Sequence, residues 1–274
     1  MADENILDNA AFEKSGSFWS VKKDNAKCSI TAGKIKLILD EKKVFSPESM
    51  SSSDLNNENM IKYISFLSRE KGQQTFYDFL NTRKENLKSL NISEKNGILK
   101  IEVSQEQPKF KVLKTFEFYN DKPFFRIKYD ITFIENCVYD GVWVGVSTTP
   151  ETSFMLSGDK NHVSTIKNEL SEKGKWYGFK RFPENRWFGF YYGNLTGGFA
   201  VMCPDLKSWM EINKSFICNK PQGGFSLELG KVMGKELRKD ESVHYDFFIM
   251  PLKCKLSDFE NTVSQSFKNF FPEN

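Results

Sequence analysis

The sequence predicts an all-β fold, a large antiparallel β-sandwich with short helices, and three observations carry that prediction. Apolar and polar residues alternate, as they do along half-buried strands, in segment after segment from Asn91 to Pro251. The interior has to be filled by rings, because the 274 residues include 26 Phe, 9 Tyr and 5 Trp. Such side chains bury roughly 150–250 Å² each and suit wide pleated faces. Two long alternating runs, residues 110–119 and 124–134, flank Asn120-Asp121-Lys122-Pro123. That composition favours a turn, so the two runs read as a hairpin.

Taken in order, residues 1–27 are polar and mixed, anchored by Asn5-Ile6-Leu7 and Phe18-Trp19. Ile35, Leu37 and Leu39 alternate as in a strand, whereas Pro47 and a serine run make 45–59 read as a loop. Residues 60–67 fit either a strand or a helical stripe. Residues 75–90 fit a short helix, with Phe76, Phe79 and Leu80 inside and Arg83, Lys84 and Lys88 outside. Strands follow at 97–103, in the hairpin and at 142–146, and 148–168 reads as a long loop. Further strands are expected at 188–192, 198–203, 209–217, 224–229 and 243–251. Phe259, Val263 and Phe267 sit four apart, so 256–271 reads as a terminal helix. No repeat or Pro/Gly linker divides the chain. Residues 1–274 therefore read as one β-sandwich domain, with 1–29 open to reading as an N-terminal extension.

Composition removes several classes of function. The 39 basic and 36 acidic residues leave a net charge of only +3, short of the basic excess of a polyanion binder. No apolar run reaches the roughly 18 residues a membrane-spanning helix needs. The start, Met1-Ala2-Asp3-Glu4-Asn5, lacks a signal peptide's basic flank and apolar core. The expected location is the cytoplasm, or the outside of the cell if an export signal has been removed. Five widely spaced cysteines, Cys28, Cys137, Cys203, Cys218 and Cys254, make neither a disulfide framework nor a Cys-x-x-Cys metal site. They read as free thiols, with one disulfide left open. With two histidines, no metal site and no cofactor are expected. Phosphate-loop, Gly-x-Gly-x-x-Gly and Gly-x-Ser-x-Gly patterns are absent.

The hairpin from Phe116 to Ile127 resembles the central hairpin of galactose mutarotase-like supersandwich domains. Asn185-Arg186-Trp187-Phe188-Gly189-Phe190-Tyr191 followed by Gly197-Gly198-Phe199-Ala200-Val201 resembles a sugar-facing hairpin of the same domains, and 241–248 resembles their closing strand. The resemblance spans about residues 30–255. It implies a sugar ligand on the concave face of a sheet, and the family's epimerases use a histidine acid and a glutamate base. His162, in Asn161-His162, and Glu211 are the candidates for those catalytic roles. Val163-Ser164-Thr165-Ile166 stands where the family pattern has Tyr-Phe-Asn-Leu, and no glutamate motif is recognisable near the C-terminus.

The segment 175–187 combines stacking rings with hydrogen-bonding groups, the mixture that sugar pockets use. Trp176, Tyr177, Arg181, Glu184, Arg186 and Trp187 are its candidate ligand contacts, and the two arginines suit a fork on a sugar carboxylate. The competing reading makes the rings core and the arginines rim. Residues 171–187 hold five basic against two acidic groups, but no nucleic-acid motif accompanies them, so no nucleic-acid partner is expected. His244, inside an alternating strand, reads as structural.

Two functions remain open. One is a carbohydrate-binding or carbohydrate-processing domain for a mono- or oligosaccharide, acidic ones included, either epimerase-like or a component of a polysaccharide lyase or glycoside hydrolase. The other is a non-catalytic structural or interaction module. Circular dichroism should be strand-dominated, with helix at about a fifth of residues or less, given the prevalence of period-two patterning. A helix-dominated spectrum would overturn the architecture.

Overall fold

A computed structural model of the chain describes residues 4–157, 165–180, 186–205 and 214–272. Among these residues three antiparallel sheets form. The largest has ten strands in the order Glu4–Asn5, Leu87–Lys95, Ile98–Glu106, Phe110–Tyr119, Phe125–Phe133, Ser242–Lys253, Gly197–Met202, Trp187–Tyr192, Phe154–Ser157 and Thr165–Lys167. A seven-stranded sheet runs Trp176–Lys180, Lys214–Asn219, Phe225–Val232, Cys137–Thr148, Ile61–Glu70 and Phe76–Tyr77, with Lys235–Leu237 also paired to Cys137–Thr148. A five-stranded meander is built from Ala11–Ser15, Trp19–Asp24, Lys27–Ala32, Ile35–Asp40 and Ser46–Ser52. The all-β prediction holds. No helix among the described residues is long and apolar enough to cross a membrane.

The predicted hairpin sets the register of the large sheet. Phe110 pairs with Phe133 and Phe118 with Phe125, and the Phe118 and Phe125 rings stack at 5.2 Å. Alternation turns Phe110, Val112, Phe116 and Phe118 inward, together with Ile127, Tyr129 and Ile131 of the partner strand. Tyrosine hydroxyls fasten this sheet to the seven-stranded one. Tyr129 donates to the Ile64 carbonyl at 3.1 Å, Tyr245 to the Val142 carbonyl at 2.8 Å and Tyr192 to the Met60 carbonyl. Each ring brings apolar bulk into the core, and each hydroxyl is satisfied there.

Several expectations are corrected. Residues 1–27 supply strands whose Val21 is fully buried in the main core. The expected loop at 45–59 contains the Ser46–Ser52 strand, whose buried Ser46 presents its hydroxyl to Lys114 at 3.2 Å. Pro47 is tolerated there because the strand lies at the sheet edge, beside a register shift. The helix expected over 75–90 shrinks to one turn, Asp78–Asn81, since Leu87–Lys95 pairs with Ile98–Glu106 instead. Leu80, expected inside, is exposed. His244, read as structural, does lie within a strand, Ser242–Lys253, exposed and with its Nδ1 2.6 Å from Asp130 Oδ1. Of the strand expected over 209–217, Lys214–Asn219 is a strand and residues 209–213 lie outside those described. All five cysteines are free thiols.

The terminal helix, Leu256–Phe270, packs on the outer face of the large sheet. Gly189 makes room for it, because a Cβ at that position would lie 2.3 Å from Phe259 Cε1. Trp187–Tyr192 and Gly197–Met202 are consequently buried at every position. The hairpin resembling a sugar-facing one has its two faces covered, one by the main core and one by the helix.

At the junction of the three sheets sits Lys114, fully buried on the inward phase of its strand. Its Nζ lies 2.5 Å from Asp78 Oδ2 and donates to the Val44 carbonyl at 2.8 Å. Thr82 donates to the Asp78 carboxylate at 2.9 Å, and Gln105 donates to it as well. Burial pulls the Lys114 ammonium down from its ordinary range, against the pull of Asp78. Lys114→Met, which strands a buried carboxylate, should cost about 3–5 kcal/mol in urea unfolding. The double variant Lys114→Met/Asp78→Asn should recover most of that loss, and a loss of the same size in both would deny the pair its role.

Candidate functional site

Of the residues expected to form one sugar site, the described ones, Trp176, Tyr177, Arg186 and Trp187, are dispersed. Trp176 opens the edge strand of the seven-stranded sheet and is 56% exposed. Tyr177, on the opposite face, packs against the main core and donates its hydroxyl to Glu172. Arg186 has a left-handed backbone, φ 59°, and its Nη1 donates to the Pro204 carbonyl at 2.7 Å. Trp187 is fully buried under the terminal helix, on the other large sheet, where it packs as core and is out of reach of a ligand. Arg181, Glu184, His162 and Glu211 lie outside the described residues.

Trp176 instead joins a set of side chains that sequence reasoning passed over. In the Cys137–Thr148 strand, Val142, Val144 and Val146 face the core, which turns Gly141, Trp143, Gly145 and Ser147 to the outer face of the sheet. The register then sets Leu67 opposite Trp143 and Arg69 opposite Gly141. On the other side Glu228 lies opposite Gly145 and Phe216 opposite Glu228. Trp143, Trp176, Phe216, Arg69, Glu228 and Lys231 line a cleft of about 460 Å³ there. The legible signal was Gly141-Val142-Trp143-Val144-Gly145, a ring between two glycines on one phase of a strand.

The glycines shape the floor. A Cβ on Gly141 would lie 2.5 Å from Lys231 Cε, and one on Gly145 would lie 2.7 Å from Leu67 Cδ1. Without those carbons, Lys231 can lie across Trp143, its Nζ 3.9 Å from the ring centroid. The same Nζ is 2.9 Å from Glu228 Oε2 and 5.8 Å from the Phe216 centroid. The ammonium is held by a carboxylate and an indole face together, an arrangement that strengthens when desolvated. Arg69 Nε reaches Asp140 only at 3.6 Å, and both side chains are exposed, so this pair contributes little and its guanidinium is available to a ligand. Chemically the cleft offers the exposed Trp176 ring, the Glu228–Lys231 ion pair lying over the buried Trp143, and the Arg69 guanidinium.

No protein-family model matches the sequence, and no curated protein matches it. Solved structures do match the fold. A galactose mutarotase related enzyme from Lactobacillus acidophilus superposes with a TM-score of 0.52 at 10% identity, over 84% of this chain and 98% of that one. A proposed aldose 1-epimerase from Klebsiella pneumoniae gives 0.58 at 9% identity, over 100% and 92% of the two chains. A GH36 α-galactosidase from Geobacillus stearothermophilus gives 0.53 at 9% identity, and the match spans 88% of this chain but 42% of that enzyme. The fold is that of the galactose mutarotase-like supersandwich.

Beyond the cleft, along the same strand, Ser147 accepts a hydrogen bond from Lys220 Nζ at 2.9 Å, and the Thr148 carbonyl accepts another at 2.8 Å. Tyr63, opposite Ser147, shares hydrogen bonds with Ser147 and Ser226. Burial first, and then nearby Lys62, bring the Lys220 ammonium down to about 8. A lysine lowered on folding binds fewer protons folded than unfolded between pH 8 and its ordinary range, so its contribution to stability grows as pH rises through that window. The stability of the wild type relative to Lys220→Met should therefore increase by about 1–2 kcal/mol from pH 8 to 10. A difference independent of pH would show an ordinary, solvated lysine.

Proposed function

We propose that this protein binds carbohydrate on the outer face of the seven-stranded sheet, in the cleft between Trp143 and Trp176. The observation that supports this reading most directly is the convergence of two indoles, Phe216 and the Glu228–Lys231 pair in one concavity. Sugar rings present apolar C–H faces to aromatic side chains and hydroxyls to charged groups, and the cleft supplies both kinds of partner. The galactose mutarotase-like fold adds support, because proteins named for sugar chemistry share it.

Lys231 is already held by Glu228, so it is Arg69, whose contact with Asp140 is long and exposed, that favours an acidic saccharide over a neutral one. Arg69 is the group suited to a planar carboxylate, which it can grip with two parallel hydrogen bonds. Nucleic acid is not the intended ligand in this reading, since the near-balanced net charge of +3 gives a long polyanion no field to follow. If the protein turns sugar over, His162 and Glu211 are the proposed acid and base, on their chemistry alone.

Titration with uronic-acid oligosaccharides should quench tryptophan fluorescence, and neutral counterparts should bind more weakly. Glu228→Gln and Arg69→Ala should each weaken binding by about 1.5–3 kcal/mol where a charge-assisted hydrogen bond is lost. Trp176→Ala should abolish much of the quench and leave the melting temperature nearly unchanged, because that ring is more than half exposed. Variants that bind as well as the wild type would return this face to the competing, structural module.

A further inference from the structure

The inner side of the same sheet carries a second concavity. Strand alternation turns Arg69, Thr75 and Tyr77 toward the outer cleft, and it turns Ser68, Glu70 and Phe76 the opposite way. These meet the turn at 107–109 of the large sheet across a slot of about 420 Å³. The slot and the outer cleft share no lining residue.

The slot has an aromatic floor. The Phe76 and Phe110 rings cross edge to face at 5.3 Å, and Tyr139 is held against Phe133 at 5.2 Å. Amides of Gln73, Gln74 and Gln107 stand around it. Glu70 and Lys109 pair across its mouth at 2.7 Å and neutralise each other, so the slot presents little net charge. At the floor is an unusual group. Tyr139 is only 3% exposed, and its buried hydroxyl has no hydrogen-bond partner of ordinary geometry among the described residues. The neighbouring Cys137 thiol is a weak partner at best. Burial raises the Tyr139 hydroxyl well above its usual range, so it keeps its proton and remains a donor as well as an acceptor. A buried donor without an acceptor is costly, and native proteins carry few.

We propose that this slot is a second binding site, which takes one uncharged, hydroxylated ring of monosaccharide size. The ligand's apolar face lies on Phe76 and Phe110, one of its oxygens accepts from Tyr139, and the glutamine amides, which both donate and accept, meet its hydroxyls. The electroneutral rim excludes the acidic saccharide that the outer cleft favours. This inference stands independently of the outer-cleft reading, and the test separates the two.

The test uses saturation-transfer NMR with methyl β-galactopyranoside, methyl β-glucopyranoside and, for comparison, adenosine. It is run on the full chain carrying Trp176→Ala and Glu228→Gln, which disable the outer cleft. At least one glycoside should still receive saturation, without any change in tryptophan fluorescence, since no Trp lines the slot. Adding Tyr139→Phe should weaken that binding about five- to tenfold, the loss of one hydrogen bond, while the ligand-free melting temperature stays level or rises as the orphan hydroxyl disappears. Gln73→Ala/Gln74→Ala, at exposed positions, should weaken binding as well, which covers the case of a Tyr139 variant that folds poorly. The proposal is overturned if neither glycoside binds the cleft-disabled protein, if adenosine alone binds, or if the glutamine variant binds undiminished.

Discussion

Placing the Lys114 ammonium in the interior constrains the whole assembly more tightly than any apolar contact does. Hydrophobic burial has no direction, whereas an ammonium has three donors that must each find an oxygen. Those oxygens come from Asp78, beyond the seven-stranded sheet's edge strand, and from Val44 and Ser46, at the start of the meander's last strand. Lys114 itself belongs to the large sheet. Three sheets are thereby referred to one atom, and a slip of any of them would leave a buried charge unpaired. Val44 and Phe45 both take left-handed backbone angles, φ 50° and 52°, which cost of order 1–3 kcal/mol each for residues with a Cβ. That strain is what aims the Val44 carbonyl at the lysine.

With the sheets fixed in this way, their outer faces diverge in character. The large sheet's outer face is closed by the terminal helix on one side. On the other side Arg126 grips Asp246 through Nε at 2.8 Å and Nη2 at 2.5 Å, while Lys128 meets Glu117 at 3.1 Å. Its charges satisfy one another, which leaves a solvated surface with little to offer a ligand. The seven-stranded sheet leaves Trp176 more than half exposed at its edge, while Lys231 lies across the buried Trp143. The difference lies in what each face does with its polar groups rather than in how many it has.

Fold class was legible because the alternation of 110–119 and 125–133 is consistent with every other level, from turn chemistry to ring packing. The same alternation placed Lys114 on the inward phase, but nothing local reveals that its partner is Asp78 of a distant segment. The short helix over 75–90 failed for a related reason: tertiary pairing of Leu87–Lys95 overrode a local pattern. The described members of the expected site do not come together. Trp176 and Trp187 are close in sequence, but they sit on different sheets, because residues 181–186 separate two strands that never pair. The rings that do converge, Trp143, Trp176 and Phe216, come from three separate strands, and their convergence depends on register that one sequence cannot supply.

The position of Ser242–Lys253 has a further meaning for how the chain is made. This strand, the last in sequence order among the described residues, sits in the middle of the ten-stranded sheet, between Phe125–Phe133 and Gly197–Met202. As the chain leaves the ribosome, the strands on either side can form their own hairpins, but the two half-sheets stay unzipped until Ser242–Lys253 has emerged. Each then waits with an apolar, unpaired edge exposed, the condition in which strands find the wrong partner. The strand that closes the sheet is made after every strand it joins, so newly made copies pass through an interval in which crowding and delay are their main hazards.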